Sequence, residues 1–122
     1  VGTSLMGNEE LTVGEVDMIQ LSGGFFNFTE KYNLITSDIL VPAPIPAEKA
    51  AELKAAARKV YRALDCHGFA RIDFFLTPDG RIVFNEVNTI PGFTAHSRFP
   101  NMMKAAGLSF TEVITRAIGL AR

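Results

Sequence analysis

The stretch from Phe69 to Asn88 constrains this chain more than any other. Phe69-Ala-Arg-Ile-Asp-Phe-Phe-Leu76 alternates as a strand. Ala70, Ile72, Phe74 and Leu76 fall on one side, and Phe69, Arg71, Asp73 and Phe75 on the other. Thr77-Pro78-Asp79-Gly80 is a turn signal, because proline presets one turn torsion and glycine accepts the left-handed one. Arg81 to Asn88 reads as the returning strand, with Ile82, Phe84, Glu86 and Asn88 sharing a side. Charge inside apolar strands is costly unless it is paired or bound to metal. Register decides its fate, since a slip of one residue moves a side chain to the opposite face. A four-residue loop, Pro78 to Arg81, sets Asp73 opposite Glu86, whereas a three-residue loop sends them to opposite faces.

The remaining segments read as elements that pack on such a hairpin. Val1 to Met6 and Leu11 to Leu21 read as two strands about a Gly7-Asn8 turn, the second with mixed alternation that leaves its buried side open. Ser22 to Ser37 has no periodicity and carries Phe25, Phe26 and Phe28. A loop of this length is uncommon in a compact domain and is often functional. Ile39 to Val41 reads as a short strand. Pro42, Pro44 and Pro46 exclude a central strand and lead into a helix from Ala47 to Leu64. Its stripe is Leu53, Ala56, Ala57, Val60, Tyr61 and Leu64, with Gly68 as terminator. Thr89 to Pro100 is irregular, bending at Pro91-Gly92. A short helix, Pro100 to Ala106, is closed by Gly107. Ser109 and Glu112 have capping-box spacing, with Leu108 and Val113 placed as a hydrophobic staple. The last helix has Phe110, Val113, Ile114, Ala117, Ile118 and Ala121 as its expected buried stripe. The expected fold class is α+β: an antiparallel sheet flanked by helices.

Composition removes several function classes. The chain has 122 residues, the size of one domain, and a formal charge of −1 with acids and bases interleaved, so it lacks the basic stripe of a nucleic-acid binder. No apolar run approaches the roughly 20 residues of a membrane-spanning helix. Cys66 is the single cysteine, which excludes an internal disulfide, reads as a structural thiol and fits a reducing compartment. The chain opens at Val1 in a strand-like pattern and reads as a piece of a longer polypeptide.

Two carboxylates and an amide oxygen converging from Asp73, Glu86 and Asn88 suit Mg²⁺ or Mn²⁺, which prefer hard oxygen ligands. Zinc is disfavoured, since His67 and His96 have no compact zinc-ligand spacing and no cysteine accompanies them. Arg71 beside these acids suits the neutralisation of anionic oxygens during phosphoryl transfer. From the spacing alone, a solvated strand face is the better of the two readings.

The surrounding sequence changes that weighing. Phe69-Ala-Arg-Ile-Asp-Phe-Phe-Leu76 followed by Asn85-Glu-Val-Asn-Thr-Ile-Pro-Gly-Phe-Thr-Ala-His-Ser97 closely resembles the C-terminal motif of the D-alanine–D-alanine ligase family, of the ATP-grasp superfamily. The resemblance covers nearly all of the chain, including Glu30-Lys31-Tyr32 and Ser109-Phe110. It implies that residues 1–122 are a C-terminal ATP-grasp catalytic fragment. The enzyme would be an ATP-dependent ligase that joins D-alanine to a second D-amino acid through an acyl phosphate, for peptidoglycan precursor synthesis. By the same resemblance Asp73 binds one of two magnesium ions, Glu86 bridges both and Asn88 binds the second. Arg71 contacts the transferred phosphate and the tetrahedral intermediate, and the backbone N–H of Gly92 donates to the oxyanion. Ser97 holds the carboxylate of the second substrate, and Lys31 and Tyr32 belong to a loop that closes over the phosphates.

Arg98 after Ser97 resembles the vancomycin-resistance ligases, where the housekeeping enzymes carry an apolar residue. D-serine therefore stands beside D-alanine as second substrate, while the Lys31-Tyr32 pair argues against D-lactate. The implied partners are ATP, D-alanine, D-alanine or D-serine, the rest of the same polypeptide and a second copy in a full-length homodimer, with no nucleic acid or membrane. The implied location is the cytoplasm, and the isolated fragment is expected to be inactive. Two alternatives stay open: another ATP-grasp carboxylate–amine ligase, and a non-catalytic module of this fold. The Pro-Gly-Phe-Thr-x-His-Ser continuation weighs against the first, and the joint presence of Arg71, Asp73, Glu86 and Asn88 against the second.

Overall fold

The computed structural model describes residues 1–21 and 37–121. The strands are β1 (Gly2–Met6), β2 (Thr12–Val13), β3 (Met18–Leu21), β4 (Ser37–Leu40), β5 (Phe69–Leu76) and β6 (Ile82–Asn88). The helices are α1 (Ala47–Ala63), α2 (Arg98–Ala105) and α3 (Phe110–Leu120). A four-stranded antiparallel sheet runs β2-β1-β5-β6, and β3 and β4 form a separate antiparallel pair. The α+β expectation agrees with this architecture. None of the described helices is long and apolar enough to cross a membrane.

The stretch expected as one strand, Leu11 to Leu21, is two. Thr12 and Val13 pair with Met6 and Leu5, and then the chain leaves the ladder. The Gly14 N–H donates to the Ser4 carbonyl (2.8 Å) and the Glu15 N–H to the Met102 carbonyl (3.0 Å). Met18 then starts the second sheet opposite Leu40. The crossing needs glycine, because a Cβ on Gly14 would lie 2.2 Å from Ser4 Oγ. The β1–β2 connection is also longer than a Gly7-Asn8 turn, spanning residues 7–11.

Helix α1 covers one face of the main sheet. Leu53, Ala57 and Tyr61, four residues apart, are fully buried against Leu5, Ala70, Ile72 and Phe74. Each large apolar side chain buried this way contributes about 1.5–3 kcal/mol. The end of α1 differs from expectation. The left-handed residue is Asp65 (φ 53°), while Gly68 lies beyond the helix at the start of β5. The Asp65 N–H donates to Arg62 O (3.1 Å) and the Cys66 N–H to Tyr61 O (2.9 Å), the paired bonds of a Schellman motif. Leu64 consequently falls outside the stripe and is 58% exposed.

Helices α2 and α3 cover one end of the opposite sheet face through Met6, Phe99, Met103 and Val113, with Phe69 and Phe93 packed alongside. α2 begins at Arg98, two residues earlier than expected, because proline is tolerated in a first helical turn, where its N–H has no partner to lose. Its closure at Gly107 (φ 102°) agrees with expectation. The capping box of α3 is formed: Ser109 Oγ accepts from the Glu112 N–H and Glu112 Oε1 accepts from the Ser109 N–H, both at 3.2 Å. Its expected stripe divides. Val113 is buried and Ala117 and Leu120 pack beside it, whereas Phe110, Ile114 and Ile118 face outward.

Two stability outcomes follow from these contacts. The buried Tyr61 hydroxyl donates to Gly7 O (2.7 Å), and burial pushes its pKa up to about 12. Tyr61→Phe leaves that carbonyl unpaired and is expected to cost about 1–2 kcal/mol in chemical denaturation without changing the circular dichroism spectrum. The Ser109 backbone N–H, and then its side chain, hold the Glu112 carboxyl below its usual pKa. A depressed carboxyl stabilises the fold above its unfolded pKa, and that contribution disappears as pH falls through the folded value. Thermal melts of the parent chain and Glu112→Gln should therefore differ at neutral pH and converge in strong acid. A gap that persists in acid would refute this role for the charge.

Candidate functional site

The β5–β6 hairpin builds the candidate site through an irregularity. Leu76 pairs with Ile82, so the loop is residues 77–81, longer than either length considered from sequence. The Thr77 N–H to Arg81 O bond (3.0 Å) and the Gly80 N–H to Thr77 O bond (2.9 Å) close it. Continued without interruption, that register would set Asn85 opposite Asp73 and turn Glu86 toward the face of Ile72. A register shift between Phe74 and Asp73 intervenes, and Asn85 takes no register partner in β5. Beyond it Asp73 pairs with Glu86 and Arg71 with Asn88. Ile82 and Phe84 thus lie on the face of Leu76 and Phe74, while Glu86 and Asn88 lie on the face of Asp73 and Arg71. The single shared side expected for Ile82, Phe84, Glu86 and Asn88 is corrected by this bulge, which reverses the strand's facing.

Asp73 (7% exposed) lies at the centre of an ion network. Arg71 Nη2 donates to Asp73 Oδ2 (2.9 Å) and lies 3.9 Å from Glu86 Oε1. Arg71 Nε adds longer bonds to both oxygens of Asp73, at 3.2 and 3.3 Å. From the other side Arg98 Nη2 donates to Asp73 Oδ1 (3.1 Å). Arg98 also grips fully buried Asp17 through Nε and Nη2, both at 2.7 Å. Burial alone would lower the pKa of Arg98. Its hydrogen bonds to Asp17 and the charges of Asp17 and Asp73 reverse that and push it above the usual guanidinium value. Removing one partner of such a buried pair costs about 3–5 kcal/mol.

Sequence reasoning missed this role for Asp17 and Arg98. The available signal was an acid inside the apolar run Val16-Asp17-Met18-Ile19, which implies a buried cation elsewhere in the chain.

Asn88 Oδ1 accepts from the Ile90 N–H (3.1 Å), which fixes the amide at the strand exit. Ser97 occupies the N-cap position of α2 without a side-chain capping bond, and its Oγ accepts from the Thr94 N–H (3.1 Å) and lies 2.8 Å from Thr94 Oγ1. Gly92 packs against it, since a Cβ there would come within 2.7 Å of Ser97 Oγ. Phe93 anchors the turn on Phe69 and Phe99, with ring centroids 5.1 and 5.0 Å away. The structure therefore brings Arg71, Asp73, Glu86 and Asn88 onto one sheet face and Gly92 beside Ser97. His96 is exposed. Lys31, Tyr32 and the expected loop from Ser22 lie outside the described residues.

Among the described residues, no three histidine, cysteine, aspartate or glutamate side chains gather as a metal cluster. The donor set on this face is two carboxylates, paired across the strands, and the Asn88 amide oxygen. Such an all-oxygen set fits a hard divalent cation and does not fit zinc.

Comparison with known proteins places the chain in a family. Residues 1–119 match the family model described as D-ala D-ala ligase C-terminus. The whole chain is 49% identical to the vancomycin C-type resistance protein VanC2 of Enterococcus casseliflavus and covers 35% of its length. Over 97% of the chain it is 43% identical to D-alanine–D-alanine ligase A of Chromobacterium violaceum, covering 32% of that protein. The crystal structure of the VanG D-Ala:D-Ser ligase from Enterococcus faecalis superposes with a TM-score of 0.86 at 57% identity, over 98% of this chain and 35% of that one. The chain thus spans about a third of the relatives it matches, and it belongs to the D-Ala–D-Ala ligase C-terminus family.

Proposed function

We propose that residues 1–122 are the C-terminal catalytic fragment of an ATP-dependent ligase that joins D-alanine to a second D-amino acid in cell-wall precursor synthesis. The observation that carries this reading is the Arg71–Asp73–Glu86–Asn88 face in a chain of this family. Asp73, Glu86 and Asn88 would hold two Mg²⁺ or Mn²⁺ ions, with Glu86 shared. The ions would neutralise phosphate oxygens and hold them in line. Arg71 would leave Asp73 for the transferred phosphate and then steady the tetrahedral intermediate formed by the attacking amine. The Gly92 N–H would donate to the developing oxyanion. Ser97 would bind the carboxylate of the second substrate, and Lys31 and Tyr32 would close over the phosphates and exclude water. The remaining portions of the polypeptide would supply most of the nucleotide and D-alanine sites, so the fragment alone is expected to be inactive. A cytoplasmic location and a homodimer of the full-length enzyme belong to the same proposal.

D-serine is the second substrate this reading favours. It rests on Arg98 after Ser97 and on the likeness to proteins named as a D-Ala:D-Ser ligase and a vancomycin C-type resistance protein. The guanidinium of Arg98 is committed to Asp17 and Asp73, so its effect on the second substrate would be indirect.

Phosphate release by the full-length parent, with D-alanine plus either D-alanine or D-serine, tests the activity. Arg71→Ala is expected to lower turnover by about 10²–10³, or about 3–4 kcal/mol, with little change in ATP binding. Arg71→Lys should recover only part, since lysine lacks the planar fork of donors. Activity of Glu86→Gln should recover partly at high Mg²⁺. Near-normal turnover of Arg71→Ala would remove that arginine from the reaction.

A further inference from the structure

Resting on the reading of Asp73 as a metal ligand, we infer that Arg98 is a positioning residue. With Asp17 it fixes one oxygen of Asp73 and fastens that carboxylate to the helix end carrying Ser97. Three observations converge on this role.

The first is the division of the Asp73 carboxylate. Arg98 bonds to Oδ1 (3.1 Å), whereas Arg71 makes its shortest bond to Oδ2 (2.9 Å). The two arginines are anchored differently. Arg98 is tied by two 2.7 Å bonds to Asp17, which is fully buried. Among the described residues, the next carboxylate oxygen to Arg71 is 3.9 Å away on Glu86. Arg98 is therefore the lasting partner of Asp73 and Arg71 the exchangeable one. When Arg71 turns to substrate, Oδ2 is freed and Oδ1 stays fixed.

The second is the backbone of β1. Gly2 exchanges both hydrogen bonds with Asp17 (2.9 and 3.1 Å) and pairs with Asp73 across the ladder. A Cβ on Gly2 would lie 2.4 Å from Asp73 Oδ1 and 2.7 Å from Arg98 Nη2. The Oδ1–Arg98 contact thus fills the space that a side chain at position 2 would take, and the bare backbone there forms one wall of it.

The third is chain order. Arg98 is the first residue of α2 and follows its cap, Ser97. A displacement at Ser97 reaches Asp73 through one guanidinium. The metal side and the second-substrate side of the site are thereby mechanically joined.

The test uses the full-length parent and two variants that preserve local charge. Arg98→Lys keeps the cation but loses the fork that grips two carboxylates at once. The double variant Asp17→Asn/Arg98→Met removes the strut with no net change in charge. Circular dichroism selects folded protein, and free Mn²⁺ is counted by electron paramagnetic resonance. Both variants are expected to raise the Mn²⁺ Kd about ten-fold, the scale of losing a partner that orients a ligand. The KM for the second D-amino acid should rise in the same variants. A lowered Tm with unchanged Mn²⁺ Kd would make Arg98 merely structural and overturn the inference, and if the double variant does not fold, Arg98→Lys decides alone. Asp73→Asn separates the two levels. If it binds Mn²⁺ like the parent, the metal reading itself fails. If it loses Mn²⁺ while the Arg98 variants keep parental affinity, only the positioning role fails.

Discussion

Between Phe84 and Glu86, strand β6 carries one residue more than β5 can pair, and Asn85 is left without a register partner. Ahead of it, β6 alternates with the apolar face, with Ile82 opposite Leu76 and Phe84 opposite Phe74. Past it, the alternation inverts, and Glu86 meets Asp73 on the other face. An unbroken ladder would turn Glu86 toward Ile72, in the face that α1 covers, where an uncompensated carboxylate is costly. The bulge thus reconciles an apolar core with two facing carboxylates. Bulges near functional sites commonly re-aim side chains in this way.

The charged face depends in turn on Asp17 and Arg98. Asp73 lies between two guanidinium groups, Arg98, which is tied to the buried Asp17, and Arg71. Asp17 gains its partner from a helix 81 residues away in sequence, so the pair also joins the start of β3 to α2. The same helix end presents Ser97, with Gly92 against its hydroxyl. Packing of Phe93 between Phe69 and Phe99 holds that turn to the sheet.

The sequence carried the local features well. Strand β5 has its expected limits, the Ser109–Glu112 capping box forms, and the Leu53, Ala57 and Tyr61 stripe is buried, because each depends on neighbours within a few residues. The break at Gly14 was not legible, since it depends on Ser4 and Met102 approaching from other elements. The bulge was hidden for a related reason: facing of Asp73 and Glu86 was expected from a loop of different length, and the long loop and the extra residue offset each other. α3 is apolar on more than one side, so its periodicity could not tell the buried Val113 side from the outward Phe110, Ile114 and Ile118. The place of Arg98 after Ser97 is legible in the sequence, but its contacts with Asp17 and Asp73 are purely tertiary.

Anomalous diffraction from Mn²⁺ in crystals of the full-length protein with a non-hydrolysable ATP analogue tests the sheet-face assignment most directly. Manganese peaks are expected about 2.1 Å from oxygens of Asp73, Glu86 and Asn88, with Oδ1 of Asp73 still on Arg98. Peaks bound by other side chains, with Asp73 and Glu86 uncoordinated, would contradict the assignment of this face to metal and phosphate.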